Sequence, residues 1–178
     1  MSFEELDVFA AHLEGVQGAS AHTIRAYLGD LVGFLEELQA EGRTLEQVDR
    51  LDLRRHLGGL RARGLALATV ARKVAALKAF FRFLAQAGRL PRDPAGALRT
   101  PRRARLLPRV LTEEEVTRLL EGPFPADFFG RRDRALLEVL YSTGLRVSEL
   151  VALRLKDLDL ESGQGRVLGK GRKERMVF

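Results

Sequence analysis

The sequence predicts a mainly α-helical protein, made of a four-helix N-terminal domain and a smaller α+β region that contains a β-hairpin. Three observations lead to this fold class. Apolar residues recur every three or four positions through the first 88 residues, which is the spacing of amphipathic helices. A segment rich in proline and arginine interrupts that pattern at residues 89–110. After residue 158, short apolar runs punctuated by glycine replace the helical spacing.

Capping residues and glycines mark the predicted ends of the four N-terminal helices. Ser2 and Glu5 form a capping box at the first helix, and Ser20 begins the second. Gly64 and Gly88 follow the third and fourth helices, because glycine readily adopts the left-handed backbone found just after a helix. The predicted bounds in chain order are residues 2–14, 20–42, 49–61 and 67–87.

The fourth predicted helix has one apolar face and one basic face. At about 100° per residue, its large apolar side chains fall on one side. They are Val70, Val74, Leu77, Phe81 and Leu84. Arg72, Lys78 and Arg82 fall on the other side, while Lys73 lies near the apolar stripe and is expected to extend its ammonium to water. A helix of this kind has the shape that enters a DNA major groove.

Charge is distributed unevenly along the chain, although the formal net charge is only +6. Residues 1–50 carry 3 basic and 10 acidic side chains, residues 51–110 carry 15 and 2, and residues 111–178 carry 12 of each. A block with a net charge of +13 in sixty residues is typical of a polyanion-binding surface. The alternative is a solvated basic helix face, but the near absence of compensating acids favours nucleic acid.

Residues 89–110 are predicted to be a linker between two domains. The segment contains four prolines and seven arginines, so a regular helix is excluded and a stiffened connector is favoured. Its positive charge suggests that it crosses a phosphate backbone, with a disordered basic connector as the alternative. The predicted segments are therefore a helical DNA-binding domain at 1–88, the basic linker at 89–110 and a second domain at 111–178.

The second domain is predicted to begin with helices and to contain a hairpin. Thr112 and Glu115 form a capping box that opens a short helix, and Pro123 and Pro125 mark a loop after it. Further helices are predicted at about 132–142 and 147–153, and the hairpin strands at 166–168 and 174–178.

Several function classes are excluded by composition. The chain has no Cys, which excludes disulfides, thiolate nucleophiles and cysteine-ligated zinc. No apolar run approaches ~18 residues, and the start MSFEELDVFA is acidic, so neither a membrane span nor a secretory signal is predicted. We therefore expect a cytoplasmic protein without a membrane partner.

Two short runs in the second domain carry candidate chemistry. Gly169-Lys170-Gly171 lacks the upstream glycine and the following Ser or Thr of a phosphate-binding loop, so nucleotide hydrolysis is not predicted. Lys170 instead lies at a hairpin tip, from which a lysine can reach a docked molecule. Arg146 follows Gly144 and directly precedes a helix, where its guanidinium and the helix N-terminal amides can bind phosphate. Glu149, one turn on, is placed to pair with Arg146, although such pairs are more often structural.

Taken together, these segments resemble the tyrosine recombinases of the phage integrase superfamily, and within it the Xer chromosome-dimer resolvases. The resemblance covers residues 2–177 in the family's order, and YSTGLRVSEL followed by GKGRKER, with Lys170 24 residues after Arg146, is its most specific part. The runs that carry it are SAHTIRAYLGDLVGFL, TVARKVAALKAFFRFLAQAG, DPAGALRTP, LPRVLTEEEV, DRALLEVLYSTGLRVSELVALRLKDLDL and GKGRKERMV.

The resemblance implies a four-helix SAM-like core-binding domain on one face of DNA and an α+β catalytic domain on the other. In this family a tyrosine attacks the scissile phosphate and forms a 3′-phosphotyrosyl bond, leaving a free 5′-hydroxyl, with no metal, ATP or other cofactor. Recombination proceeds through a Holliday junction inside a tetramer. The implied partners are a double-stranded DNA recombination site and a second recombinase, with no small-molecule substrate.

The family's functional residues carry over to matching positions of this sequence. Arg146 matches the first catalytic arginine, Glu149 the acidic residue that orients it, and Lys170 the hairpin lysine that acts as general acid to the 5′-oxygen. The sequence also predicts DNA-binding basic residues on the fourth helix, in the linker and beside the hairpin turn. They are Arg72, Lys78, Arg82, Arg102, Arg103, Arg105 and Lys173.

The sequence also departs from the family's pattern. The His-x-x-Arg box, the later His or Trp and the nucleophilic tyrosine all follow the hairpin in the family, and this chain ends at Phe178. Its histidines are in the helical domain, Tyr27 is on an apolar face, and Tyr141 matches a structural position. We therefore expect DNA binding without cleavage and an exposed apolar face on the second domain. The alternatives are a non-catalytic regulatory short form, a product without function, or a piece of a phage-type integrase.

Overall fold

The computed structural model describes residues 3–101, 109–169 and 174–177. The chain divides into two compact units, Met1–Leu106 and Leu107–Phe178, here called unit 1 and unit 2. Among the helices of these described ranges, none combines the length and the hydrophobicity needed to cross a bilayer.

Unit 1 is built from four helices, as the sequence predicts. Their bounds are α1 Phe3–Gly15, α2 Ala21–Ala40, α3 Arg50–Ala62 and α4 Leu67–Gln86, and a short 3₁₀ turn that the sequence did not predict covers Leu45–Gln47. The Ser20 side chain caps α2 by accepting from the Thr23 amide at 3.2 Å. Asp49 caps α3 in the same way, accepting from the amides of Leu51 and Asp52.

The apolar face of α4 forms the centre of unit 1. Its predicted stripe from Val70 to Leu84 is 1% exposed or less at every position. Phe80 and Phe81 are fully buried, and Phe80 meets Phe9 of α1 edge to face with ring centroids 5.3 Å apart. Helix α4 thus packs against the other three helices, while Arg82 on the same helix is exposed.

Residues beyond 88, where the linker is predicted to begin, also pack against the helical unit. Leu90, Ala95 and Leu98 are all buried in the core cluster of unit 1. A turn at Asp93, whose Oδ1 accepts from the Ala95 amide at 2.8 Å, holds this segment in place. Proline content correctly excluded a helix here, but three spaced apolar residues are enough to dock a non-helical segment. Residues 102–108 of the predicted linker lie outside the described residues.

Unit 2 combines three helices with a small antiparallel sheet. The helices are α5 Glu113–Leu120, α6 Phe128–Thr143 and α7 Val147–Ala152, and a 3₁₀ turn follows at Leu155–Asp157. The strands are β1 Leu158–Asp159, β2 Gln164–Leu168 and β3 Glu174–Val177, in the order β1-β2-β3. The predicted hairpin is therefore present as β2 and β3, while β1 was not predicted. Helix α6 begins earlier than predicted, because Asp127 caps it through the Gly130 amide at 2.8 Å.

The core of the described part of unit 2 is small. Leu145, Val167 and Val177 form its buried cluster, against which four further hydrophobic residues pack in part. Many large apolar side chains of the same unit remain exposed. They include Val110, Leu111, Phe128, Phe129, Val147, Val151, Leu155 and Leu160. The expected apolar surface is thus present on α5, α6, α7 and the turn after α7.

Candidate phosphate site and nucleic-acid interface

Arg146 lies at the junction between α6 and α7. Gly144 ends α6 in the left-handed conformation, with φ of 60°, and donates its amide to Leu140 O at 3.0 Å. The chain turns there, and Arg146 becomes the N-cap of α7. The side chain of Arg146 is 66% exposed, so its guanidinium is available at the surface beside the start of a helix.

Glu149 holds Arg146 through both of its carboxylate oxygens. The backbone amide of Arg146 donates to Oε2 and its Nη1 donates to Oε1, each at 2.8 Å. The predicted pair of Arg146 and Glu149 therefore exists, and Glu149 also takes part in the capping box at the N-terminus of α7. The Glu149 side chain is only 4% exposed, so this ion pair is anchored on its acidic side. The arrangement restricts the orientation of the exposed guanidinium.

A second arginine, which sequence reasoning missed, shares the same carboxylate. Arg175 of β3 donates from Nη2 to Oε2 of Glu149 at 2.9 Å. Strand alternation could have revealed it, because Arg175 lies two residues before the buried Val177 and opposite the buried Val167. Arg175 thus belongs to the inner face of the hairpin, and Glu149 ties that hairpin to α7.

Glu149 stays ionised throughout the neutral pH range. The hydrogen bond from the Arg146 backbone has the largest effect, and those from Arg175 and the Arg146 guanidinium add to it. Together they outweigh burial, which acts in the opposite direction, and lower the pKa of Glu149 to about 2. One carboxylate therefore neutralises part of the charge of two arginines, and the cluster keeps a net positive charge suited to an anion.

Five of the predicted site residues fall outside the described parts of the chain. Lys170 and Lys173 lie outside the described residues, and so do Arg102, Arg103 and Arg105 of the linker. Their roles stay predictions. Within the described ranges, no three His, Cys, Asp or Glu side chains come together as a metal site.

The predicted basic face of α4 is partly engaged inside unit 1. Arg72 Nη1 donates to Asp30 Oδ2 at 2.5 Å and to Ala26 O at 3.2 Å. Lys73 Nζ lies 3.1 Å from Asp30 Oδ1 and its side chain is only 15% exposed, so the prediction that its ammonium extends to water is wrong, because a buried acid of α2 binds it instead. Lys78 and Arg82 have no acidic partner among the described residues, and Arg82 is exposed. The DNA-binding role of all three predicted α4 residues remains a prediction.

Comparison with known protein families identifies both units. Residues 6–88 match the family described as "Phage integrase, N-terminal SAM-like domain", and residues 109–178 match the "Phage integrase family". The chain belongs to the phage integrase family, the tyrosine recombinases.

Among its curated relatives are proteins named tyrosine recombinase XerC. The one from Xanthomonas campestris pv. campestris (strain B100) is 44% identical over 173 residues, which is 97% of this chain and 53% of the relative. The one from Pelobacter propionicus is 43% identical over 177 residues, covering 98% of this chain and 58% of the relative. The chain therefore spans somewhat more than half the length of these relatives.

Solved structures with the same fold are also recombinases. XerH site-specific recombinase bound to palindromic difH substrate superposes with a TM-score of 0.71 at 25% identity, covering 94% of this chain and 52% of that one. A lambda integrase tetramer bound to a Holliday junction superposes with a TM-score of 0.72 at 18% identity, covering 98% and 49%. The second likeness concerns the fold alone.

Proposed function

We propose that this chain provides the DNA-binding domain and part of the active site of a XerC-like site-specific recombinase. The observation that carries the proposal is the cluster at the start of α7, where the buried Glu149 holds Arg146 and Arg175. Arg146 and Glu149 belong to YSTGLRVSEL and Arg175 to GKGRKER, the two runs that carry the resemblance to the family most specifically. Unit 1 would bind one side of a double-stranded recombination site, and unit 2 would bring the cluster to the phosphate.

The geometry of the cluster suits charge stabilisation at phosphorus. Glu149 occupies only Nη1 of the Arg146 guanidinium, which leaves other N–H donors for the non-bridging oxygens of a phosphodiester. Those oxygens gain negative charge as the pentacovalent transition state forms, so donors already held in place lower its energy. Lys170 is proposed to protonate the departing 5′-oxygen.

The whole protein is proposed to exchange DNA strands through a phosphotyrosyl intermediate. Attack by a tyrosine oxygen would form the P–O bond to the enzyme and break the bond to the 5′-oxygen, which leaves as a hydroxyl. Assembly as a tetramer on DNA with a second recombinase, and a cytoplasmic location, are part of the same proposal. The 178-residue chain by itself is proposed to bind without cleaving, because the family's nucleophilic tyrosine follows the hairpin. Its own tyrosines precede the hairpin: Tyr27 packs against the core of unit 1 and Tyr141 belongs to α6.

Binding of the 178-residue chain to a fluorescent DNA duplex tests the first half of this proposal. The net charge of +13 in residues 51–110 leads us to expect about six phosphate contacts, hence a slope near −5 in a plot of log affinity against log salt. A slope near zero would contradict the assignment of a DNA interface.

A nicked suicide substrate tests whether the 178-residue chain can cleave DNA. No covalent adduct is expected, and a phosphotyrosyl adduct would contradict the proposal.

A further inference from the structure

A groove in unit 1 is lined by arginines that the sequence analysis did not select. It lies between α3, α4 and the segment 97–101, and its volume is about 410 Å³. Arg50, Arg54 and Arg61 of α3 line one side, and Arg99 comes from the segment that docks after α4. Within the described parts of the chain, no acidic residue lines it.

We propose that this arginine groove holds the sugar-phosphate backbone of DNA. The inference rests on the proposed function and deepens it, because it assigns backbone contacts to α3 and to residue 99 in addition to the basic face of α4. Phosphate contacts of this kind position a protein on the duplex without reading its sequence. The groove would therefore contribute affinity and orientation to unit 1.

The groove arginines differ from the other arginines of α3 and its flanks in their pairing. Arg55 lies 3.2 Å from Asp52, and Arg63 lies 3.0 Å from Glu37. In contrast, Arg50, Arg54, Arg61 and Arg99 have no carboxylate within salt-bridge distance in the described parts of the chain. The arginines of α3 and its C-cap thus fall into two sets: Arg55 and Arg63 are paired with carboxylates, whereas Arg50, Arg54 and Arg61 line the groove without such a partner among the described residues.

The spacing along α3 matches an extended ligand better than a single ion. Arg50, Arg54 and Arg61 stand four and seven positions apart, which keeps them within about 40° of one another around the helix at ~100° per residue. At ~1.5 Å per residue the row extends about 16 Å along the axis. One DNA strand advances ~3.4 Å per phosphate, so a row of this length can follow several successive phosphates.

The floor of the groove favours a polyanion over an acidic peptide with an apolar anchor. Val70 and Val74 are 1% exposed and Leu98 is 5% exposed, so these floor residues are already covered, and the accessible apolar surface comes from other lining residues such as the half-buried Leu57 and the exposed Ala97. Gly58, in the middle of the arginine row, has no atom within 4 Å of the place a Cβ would occupy. The backbone of α3 is therefore open to close approach at that point.

Helix α4 gives a further reason to place phosphate contacts in the groove. Arg72 and Lys73 are both paired with the buried Asp30, so part of the charge on that helix serves the fold of unit 1. The groove arginines have no such internal partner among the described residues, and their charge remains for an external anion.

The decisive experiment compares two double variants of the 178-residue chain that remove the same charge. The variant with Arg54→Gln and Arg61→Gln removes two of the groove arginines. The control with Arg55→Gln and Arg63→Gln removes two arginines that are paired with carboxylates, one within α3 and one at its C-cap. Affinity for a duplex is measured by fluorescence anisotropy over a salt series. The groove variant should lose roughly tenfold in affinity per contact near 0.1 M salt, and its log–log slope should become shallower by about 2. The matched control should keep the wild-type slope, and Arg54→Lys with Arg61→Lys should restore most of the loss.

The outcomes separate this inference from the proposed function. A steep wild-type slope with equal behaviour of the two double variants would overturn the groove assignment and leave DNA binding intact. A wild-type slope near zero would contradict both the proposed function and the groove assignment. A fluorescein-labelled Glu-rich peptide serves as the second probe. If the groove variant loses peptide binding but keeps its DNA slope, the groove binds acidic protein and the inference is wrong. Far-ultraviolet circular dichroism establishes that each variant is folded.

Discussion

Glu149 is the side chain on which the candidate active site depends. Its carboxylate accepts from the Arg146 amide, the Arg146 guanidinium and Arg175, and its side chain is almost wholly buried. Removing such a buried carboxylate eliminates all three of these hydrogen bonds, and protonating it removes the charge that strengthens them. Glu149 thus links the position of Arg146 to the position of β3, although 26 residues separate it from Arg175.

The stability of unit 2 should therefore fall in acid because of this residue. The pKa of Glu149 drops from an ordinary 4.5 to about 2 on folding, so its contribution is complete above about pH 4.5 and is lost as pH falls toward 2. Urea titrations between pH 6 and 2.5, followed by the methyl NMR signals of Val167 and Val177, measure the effect. Glu149→Gln should be less stable than wild type at pH 6 and should lose less stability on acidification.

Glu138 offers the matched control for that titration. It pairs with Arg134 on the surface of α6 at 2.8 Å, and its side chain is half exposed. Glu138→Gln should change stability little at any pH, because exposed pairs of this spacing contribute only about 0.3–0.5 kcal/mol. A Glu149→Gln profile that parallels the wild-type profile across this pH range would contradict the role assigned to Glu149.

Asp30 shows that a buried acid can give nearby basic residues a structural role. It is 6% exposed and carries Arg72 and Lys73 as partners, so both cations help to hold α2 against α4. A substitution at Arg72 would therefore alter the stability of unit 1 as well as any contact with DNA. Arg82, which is exposed and has no acidic partner in the described chain, separates the two effects more cleanly.

The start of α6 depends on close contact between helix and loop. Gly130 lies in the first turn, and a Cβ built there would come within 1.9 Å of Pro125 O and 2.7 Å of its carbonyl carbon. Backbone atoms cannot move aside as a flexible side chain can, so the loop with Pro123 and Pro125 needs glycine at this position. Because glycine permits this close contact, α6 can begin at Phe128, before the start at about residue 132 that the apolar spacing predicted.

Alanine substitutions at two helical glycines should have opposite effects. Gly130→Ala should destabilise unit 2 by about 1–3 kcal/mol, the usual cost of overpacking. Gly59→Ala in α3, where no atom lies within 4 Å, should stabilise unit 1 by about 0.5–1 kcal/mol, because alanine loses less conformational entropy in a helix. Urea unfolding followed by valine methyl signals in each unit measures both. Equal shifts of the same sign would show that helix propensity, and not the Pro125 contact, governs Gly130.

The two units differ greatly in the size of their buried cores. In the described parts of the chain, 19 residues from Leu6 to Leu98 form the main buried cluster of unit 1, whereas three residues form that of unit 2. Burial of apolar surface is the main favourable contribution to folding, at about 25 cal/mol per Å². The chain should therefore not behave as one cooperative unit.

We expect two unfolding transitions, with unit 2 unfolding first. In a urea titration at neutral pH, the methyl signals of Val167 and Val177 should lose their native positions at a lower urea concentration than those of Val70 and Val74. The midpoint is the free energy of unfolding divided by its urea dependence. Unit 2 has only three residues in its buried cluster to offset the conformational entropy lost on folding, so its free energy of unfolding is small relative to the surface that it exposes. A single shared midpoint for all four valines would contradict the independence of the two units.

Interactions between close neighbours in the chain made much of this fold predictable. Ser20, Asp49 and Thr112 bond to amides two or three residues away, so the helix starts that they cap could be predicted from sequence. The apolar stripe of α4 repeats every three or four residues, so its buried face could be predicted too. The Arg146–Glu149 pair belongs to the same class, because its members stand one helical turn apart.

The remaining features depend on residues that only folding brings together. Arg72 meets Asp30 across 42 positions, Arg175 meets Glu149 across 26, and Leu98 docks beside α3 after a proline-rich stretch that has no periodic pattern. Helical periodicity and capping act over one or two turns and leave a mark in the sequence, whereas an ion pair between distant elements leaves none. The sequence therefore specified the helices, the hairpin and the family motifs. Packing decided which arginines are paired with carboxylates and which remain available to an anion.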